Sequence, residues 1–413
     1  MDKLRKRWRL AAVGGCVVAV LFTAACSESG GEGGADSSGE TLKIGLITDL
    51  SGTFGSDYGG VPDVAQAWTD WVNDTQGGVN GRTVELFVQD GQSQPASAAA
   101  AARELVERDE VSVVFVESGV AQSAVWDYLD SRGVPLIGTN NGTRTPETPS
   151  TFFSIDLGFP QLAQAGAVVA NIAGAESIAA AVCSEVAACQ GIGTLLGEFA
   201  PTVDVAYEGT VTIAATATSA TAQCLEIVNS GAEVVATFLV VVPAQRLIES
   251  CEAQGFAGRF LNVAVTQSNF DQLGTGQSIL GAMYDFPWWS SAEPVVEFRD
   301  VMDEYEVSVY QSFPSTNLWA SLQLFAYALG ESGPNSDAAV TGADVIDALH
   351  SAVQDVTLDG LLPQPITFTE SGNTEVNCFW AIERDAEGVF KTLEGSGPSG
   401  NGVSGDLASV CVD

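Results

Sequence analysis

The alternation of short apolar strands with amphipathic helices is what most restricts the fold of this chain. "TLKIGLITDL" reads as a strand carrying Ile44, Leu46 and Ile47. "VPDVAQAWTDWVND" follows it and sets Val64, Trp68, Trp71 and Val72 on one helical face, behind Pro62 in the first turn where proline is favourable. Strand "RTVELFVQD", helix "PASAAAAARELVERD", strand "VSVVFVES", helix "AQSAVWDYLDSRG" and strand "VPLIGTN" continue the series. Parallel neighbours need a crossover between them, so strands separated by single helices specify a parallel sheet covered by helices on both faces.

A turn-rich passage, "TPETPSTFFSIDLGFP", interrupts the series, which then restarts. "SIAAAVCS", "TVDVAYEGTVTI" and "AEVVATFLVVV" read as strands, with helix "SATAQCLEIVNSG" before the last of them. Helix "PAQRLIESCEAQG" and strand "RFLNVAV" come after it. A second sheet is the natural inference, and 413 residues are too many for one ordinary core. Beyond "MYDFPWWSSAEP" come helical "PVVEFRDVMDEYE", "STNLWASLQLFAYALGES" and "GADVIDALHSAV", and then "ITFTESG" and "NCFWAIERD", which read as a hairpin. No exact repeat is present, but two similar α/β halves are.

The amino terminus follows different rules. "MDKLRKRWRL" is basic, "AAVGGCVVAVLFTAA" is apolar or small, and this order is that of a secretory signal over residues 1–25. The apolar part is shorter than the roughly 20 residues a spanning helix needs. "TAAC", ending at Cys26, resembles a bacterial lipobox, whose cysteine receives a diacylglycerol and becomes the mature terminus. Ordinary signal cleavage that leaves Cys26 as a free thiol is the alternative. From Ser27 to Glu40 no aliphatic residue exceeds Ala35, so residues 26–40 are expected to act as a flexible tether.

Charge and cysteine count exclude some functions. The chain has 16 Lys+Arg against 52 Asp+Glu; without residues 1–25 it has 11 against 51, a formal charge of about −40. Nucleic acid is excluded as a partner, because phosphate backbones are bound by clusters of Lys and Arg and none exists past the leader. Beyond Cys16 and Cys26 there remain Cys183, Cys189, Cys224, Cys251, Cys378 and Cys411, an even number suited to an exported chain. Six cysteines allow 15 connectivities, and their order suggests the local pairs 183 with 189, 224 with 251, and 378 with 411. A metal site is disfavoured, since there is no C-x-x-C and the one histidine, His350, lies in an unrelated helical segment.

From about Leu42 onward the chain resembles the type I periplasmic binding proteins, specifically the leucine/isoleucine/valine-binding class of solute receptors for ABC importers. The resemblance is carried, in order, by "KIGLITDLSGTFGSDYGG", "TQGGVNGRTVEL", "VQDGQSQPASAAAAARELV", "VESGVAQSAV" and "SRGVPLIGTNNG". It implies two doubly wound parallel-sheet lobes joined by a three-segment hinge. Lobe 1 would comprise residues 41–154 and 288–362, and lobe 2 residues 155–287 and 363–413. All six cysteines then fall in lobe 2, and Cys378 with Cys411 becomes a terminal clasp. The implied partners are a small-molecule ligand and a membrane ABC permease, with membrane attachment through the lipid and a monomeric receptor.

Ligands of open α/β sheets bind beyond the carboxyl ends of the strands, where amides and helix amino termini converge. "VES" and "LIGTNNG" end such strands. By position, the resemblance gives Ser118 a ligand carboxylate to hold, Gly119 and Val120 amides to offer, Asn140, Asn141 and Gly142 an adjacent binding segment, and Tyr58 an aromatic contact beside Phe54. Ser118 is equally suited to cap a helix, Phe54 and Tyr58 to pack within a loop, and the two asparagines to supply turn geometry. In lobe 2 the sequence departs from the family. Ala264 stands where amino-acid-binding relatives carry an acid for the ligand ammonium, Val240 to Val242 stand at the aromatic contacts, with Val241 the candidate, and "CSEVAAC" offers Ser184 and Glu185. A buried ammonium without a carboxylate is costly, so the expected ligand is a small carboxylate, amide or aromatic acid.

Enzymatic readings find little support. A Ser-His-Asp arrangement needs a histidine beside the serine, and the resemblance sends His350 to lobe 1, away from the cleft. "GIGTLLG" at Gly191 imitates a dinucleotide loop with the wrong third spacing, and no phosphate-binding G-x-x-x-x-G-K-[ST] occurs. No cofactor is expected. A lipid-anchored sensor reporting to a membrane kinase has the same fold as a transport receptor and remains the alternative.

Overall fold

The computed structural model describes residues 40–412 apart from 139–148, 185–186, 215, 240, 264, 266, 274–276, 336, 371 and 374. The leader, Cys26 and the tether up to residue 39 lie outside the described residues, as do Asn140, Asn141, Gly142, Glu185 and Ala264.

The first part of the chain forms β1 (Leu42–Thr48), α1 (Gly55–Tyr58), α2 (Val61–Gln76), β2 (Val84–Asp90), α3 (Pro95–Glu107), β3 (Val113–Glu117), α4 (Gln122–Ser131), β4 (Leu136–Gly138) and β5 (Phe152–Phe153). The second forms α5 (Phe159–Ile172), β6 (Ser177–Cys183), α6 (Ala187–Phe199), β7 (Ala206–Ile213), α7 (Thr221–Ser230), β8 (Val234–Phe238), α8 (Val241–Ala253), β9 (Arg259–Asn262), α9 (Gln267–Leu273) and β10 (Ile279–Met283). Then come α10 (Glu293–Glu304), α11 (Phe313–Ser332), α12 (Gly342–Ala352), β11 (Phe368–Thr369), β12 (Gly372–Asn373), β13 (Cys378–Arg384), β14 (Phe390–Thr392) and β15 (Val410–Cys411).

Two lobes result, each built on its own sheet. The first sheet runs β2-β1-β3-β4-β5 and is parallel throughout. Val64, Trp68 and Val72 are buried on α2 as their spacing predicts, and the ring of Trp71 lies 5.4 Å from that of Trp319 of α11, tilted against it. α11 begins with a Ser312 cap that accepts from the Ser315 amide and has Pro314 in its first turn. Its apolar residues surround it instead of forming one stripe, because it lies between α2, α12 and the sheet. α12 is held by a capping box between Thr341 and Asp344. His350 of α12 rests 5.3 Å from the ring of Phe153, where burial lowers its pKa.

The second sheet runs β14-β13-β10-β9-β8-β6-β7, with β15 added beside β13. It is parallel from β7 to β10 and antiparallel from β10 outward. This corrects the expected hairpin. "ITFTESG" closes on itself as the two-residue strands β11 and β12, while "NCFWAIERD" crosses over and pairs with β10. Phe379, Trp380, Ala381 and Ile382 are all buried, on both faces of the strand, which suits a sheet interior and not one arm of a free hairpin.

Four helices escaped the sequence pattern: the single-turn α1, and α5, α6 and α9. "GIGTLLG" lies within α6 and forms no loop. A side chain at Gly193 would meet Thr210 at 2.4 Å and one at Gly197 would meet the Tyr207 ring at 2.8 Å, so these glycines allow α6 to lie close on β7. The strand "AEVVATFLVVV" is also shorter than expected. β8 ends at Phe238, and Val241 and Val242 begin α8, with Pro243 in its first turn. Cys224 is bonded to Cys251 and Cys378 to Cys411, as their order suggested. Cys183 is disulfide-bonded too, and the side chain of its expected partner, Cys189, lies outside the described residues.

The chain passes between the lobes after β5, after β10 and after α12. The first and third passages touch at the bridge Leu157 to Val376, and Gln161 Nε2 in the first turn of α5 donates to Glu375 Oε1 at 2.6 Å.

Candidate functional site

The carboxyl ends of β1 and β3, helix α1, the first two passages between lobes and the start of α11 supply one cluster of buried polar and aromatic side chains. Thr48, Asp49, Glu117 and Ser118 are fully buried at the strand ends, and Tyr58 of α1 is 3% exposed. Ser154 and Asp156 come from the first passage, and Tyr284 and Asp285 from the second, with both acids only 2% exposed. Phe313 and Asn317, one turn apart on α11, close the group. The Phe313 ring stands 5.9 Å from Tyr58 and 5.7 Å from Tyr284, in edge contact with both.

Asp49 organises the lobe 1 side. Its Oδ2 accepts from Ser118 Oγ at 2.9 Å and from the Gly119 amide at 3.0 Å, while its Oδ1 accepts from the Ser93 amide at 2.9 Å. Ser118 Oγ in turn accepts from the amides of Val120 and Ala121 at 3.2 and 3.1 Å, so the serine serves the turn that opens α4. The hydroxyl and both amides foreseen for a ligand carboxylate are therefore directed at groups of the chain itself. Phe54 donates its amide to Ser93 Oγ at 3.0 Å and lays its ring on Gly119, where a Cβ would come within 2.6 Å of it.

The second passage carries an acid with little compensation. Asp285 Oδ1 accepts from Asn317 Nδ2 at 2.7 Å, and its Oδ2 is buried without a hydrogen-bond partner. Burial, and then the Asp156 charge, push the Asp285 carboxyl well above the usual carboxylate range, against the smaller pull of Asn317. The Tyr284 phenol is likewise raised, by burial and then by Asp285, Asp156, Tyr58 and Glu117. Tyr58 is raised by burial and by Glu117, Asp57, Asp49 and Asp156. The carboxylates that raise these three groups are Asp49, Asp57, Glu117, Asp156 and Asp285.

Lobe 2 reaches this cluster through α9. Asn269 Nδ2 donates to Asp57 Oδ1 at 3.2 Å, and nearby the Phe313 amide donates to the Val265 carbonyl at 3.0 Å. Burial raises the Asp57 pKa, and the hydrogen bonds from Asn269 and Ser56 oppose this. Of the lobe 2 candidates, Ser184 is exposed just after β6, and Val241 is buried at the start of α8. Among the described residues no three His, Cys, Asp or Glu side chains are grouped to hold a metal ion.

A sequence model described as periplasmic binding protein matches residues 41–388. The chain belongs to the periplasmic binding protein family. Solved structures of this family superpose over most of its length. A leucine binding protein of Thermotoga maritima MSB8 is 15% identical, with 85% of this chain and 97% of that one covered and a TM-score of 0.69. The solute binding protein of an R. palustris ABC transporter, in complex with 4-hydroxybenzoate, is 19% identical over 84% of this chain and 93% of that one, with a TM-score of 0.67. An ABC transporter substrate-binding protein from Sphaerobacter thermophilus is 18% identical over 86% and 96%, with a TM-score of 0.70. Identities this low establish the shared fold alone. No curated protein matches the sequence. Periplasmic binding proteins bind solutes outside the cytoplasm and are not enzymes as a family, and among the described residues no helix is long and apolar enough to cross a membrane.

The candidates read from the sequence that lie at this cluster are Tyr58, Phe54 and the Ser118 turn; the sequence assigns no place to Asp49, Asp156, Tyr284, Asp285, Phe313 and Asn317, which the structure brings beside them. One signal was present. "LITDL", "FVES" and "AMYDF" each carry a carboxylate directly at or after an apolar strand, a position where burying an acid serves no packing purpose.

Proposed function

We propose that this periplasmic binding protein is the solute receptor of an ABC importer, held outside the membrane by lipid on Cys26 and a tether over residues 26–40. It captures a small organic ligand between lobe 1, residues 41–154 and 288–362, and lobe 2, residues 155–287 and 363–413, and presents the closed form to a permease. The observation that carries this reading is the convergence of buried polar side chains from both strand ends and both early passages on one place beside the hinge. A ligand that touches both lobes favours the closed state by its difference in affinity for the two states, and that difference is what a permease reads.

Ser118, Gly119 and Val120 position the lobe 1 wall of this site, and Tyr58 and Phe54 its aromatic side. The expectation of an anionic or neutral ligand rested on Ala264 and on Val240 to Val242. The carboxylates of the hinge weigh against an anion, although one neighbour was solved with 4-hydroxybenzoate. A thermal-shift screen of small metabolites tests the receptor reading, because a ligand at 100 times its Kd stabilises by about 2.7 kcal/mol. The best hit is expected to reduce the radius of gyration in X-ray scattering. Hits that stabilise without compacting the protein would count against capture between lobes.

A further inference from the structure

Three features of the hinge cluster concern charge, and they agree. The first is the position of Asp49. The Ser118 hydroxyl and the Gly119 amide form a seat for a carboxylate, and in this chain the seat holds the Asp49 side chain at 2.9 and 3.0 Å. The Val120 amide is taken by Ser118 Oγ at 3.2 Å. An internal anion thus occupies the donors that a ligand carboxylate would use, and a ligand entering beside them has to tolerate a fourth negative group near Glu117, Asp156 and Asp285.

The second feature is Asp285. It is 2% exposed, one of its oxygens is satisfied by Asn317, and the other has no partner. A buried carboxylate oxygen without a donor is expensive to maintain. Replacement by an amide of the same shape would remove that cost, so the acid has to be explained by something that binds it. The third feature is aromatic. Tyr58, Phe313 and Tyr284 stand in a row beside the acids, and aromatic surfaces combined with carboxylates are the setting in which organic cations are held. The acids are not grouped closely enough for a metal ion among the described residues, which leaves a bulkier cation.

Resting on the receptor reading above, we propose that the ligand is an organic ammonium cation without a required carboxylate, with its charged end seated between Asp285, Asp156 and the Tyr58–Phe313–Tyr284 row. The cation supplies the positive charge that Asp285 Oδ2 lacks beside it, and an N–H donor as well where the ammonium is not fully alkylated, while Asp49 replaces the ligand carboxylate as the anion that orders the α4 turn. This reverses the charge expected from lobe 2 alone.

The test is isothermal titration of the purified, oxidised protein with four probes: choline, putrescine, leucine and 4-hydroxybenzoate, with 3,3-dimethyl-1-butanol as the uncharged isostere of choline. Choline or putrescine is expected to bind at least tenfold more tightly than the isostere, leucine and the benzoate. Asp285→Asn is expected to weaken that binding at least tenfold while keeping its near-ultraviolet circular dichroism. Glu117→Gln serves as a second variant and is expected to weaken binding in the same direction. Binding of leucine or 4-hydroxybenzoate with both cations inert overturns the charge assignment but, if it compacts the protein, leaves the receptor reading intact. Cation binding that is unchanged in both variants, or failure of both cations at millimolar concentration, also overturns the proposal. A cation that binds as expected without compacting the protein supports the charge assignment and counts against the receptor mechanism.

Discussion

Replacing Asp285 by Asn should make the ligand-free protein more stable, and increasingly so as the pH rises. The side chain is buried, keeps its Asn317 contact through Oδ1, and has nothing on Oδ2, while Asp156 opposes its ionisation. Its pKa is therefore higher in the folded state than in the unfolded chain, where it lies near 4. Between those two values the folded protein holds a proton that the unfolded chain has released, so wild-type stability falls with rising pH, by up to about 1.4 kcal/mol per pH unit for one proton. Above the folded value the loss stays constant. Asparagine does not titrate, matches the shape, and can donate toward Asp156. Urea denaturation of both proteins under oxidising conditions, near pH 4 and near pH 7, provides the measurement. Subtracting the curves cancels contributions from Glu117, Tyr284 and the general negative charge. The two proteins should be close in stability near pH 4 and separate at neutral pH, with the variant ahead. A difference independent of pH, or a variant that is less stable at neutral pH, would show that Asp285 is compensated in the folded state.

Two further outcomes are expected. Arg82 is 1% exposed, and its guanidinium donates to the main-chain carbonyls of Asn80, Pro334, Asn335 and Ala338; Arg82→Ala leaves these acceptors bare and should cost at least about 3 kcal/mol, at roughly 1–3 kcal/mol for each buried unsatisfied group, whereas a loss under about 0.5 kcal/mol in urea denaturation would mean that water takes its place freely. Cys26→Ser should move the protein from the membrane to the soluble fraction or leave its precursor uncleaved, and a processed, membrane-bound variant on immunoblots would refute lipid anchoring.

The lobes were legible in the sequence because local periodicity decides them. The stripe of Val64, Trp68, Trp71 and Val72 requires a helix, and the strand that ends at Thr48 requires a buried neighbour on each side. β13 was misread because its residues suit an edge hairpin or a central strand equally, and only the bare side of β10 selects between them. α6 was missed because its glycines suggest a loop until Thr210 and Tyr207 are placed against them. The charge of the site was least legible of all. Its reading relied on two lobe 2 strand ends, those of β8 and β9, whereas the acids come from the ends of β1 and β3 and from two passages far apart in the chain. No local pattern reports that Asp49 accepts from the Ser118 hydroxyl and the Gly119 amide.

The late insertion of β13 bears on how the chain is made. A polypeptide emerges amino terminus first, and domains generally fold as they emerge. Here neither lobe can do so. The first sheet lacks part of its cover until α11 arrives, and β10 keeps an unpaired edge until residues 378–384 appear and the Cys378–Cys411 bond fixes them. Such distant pairings form slowly, so neither lobe can be completed until almost the whole chain has been made, an order of events that suits a protein exported before its last strand is inserted.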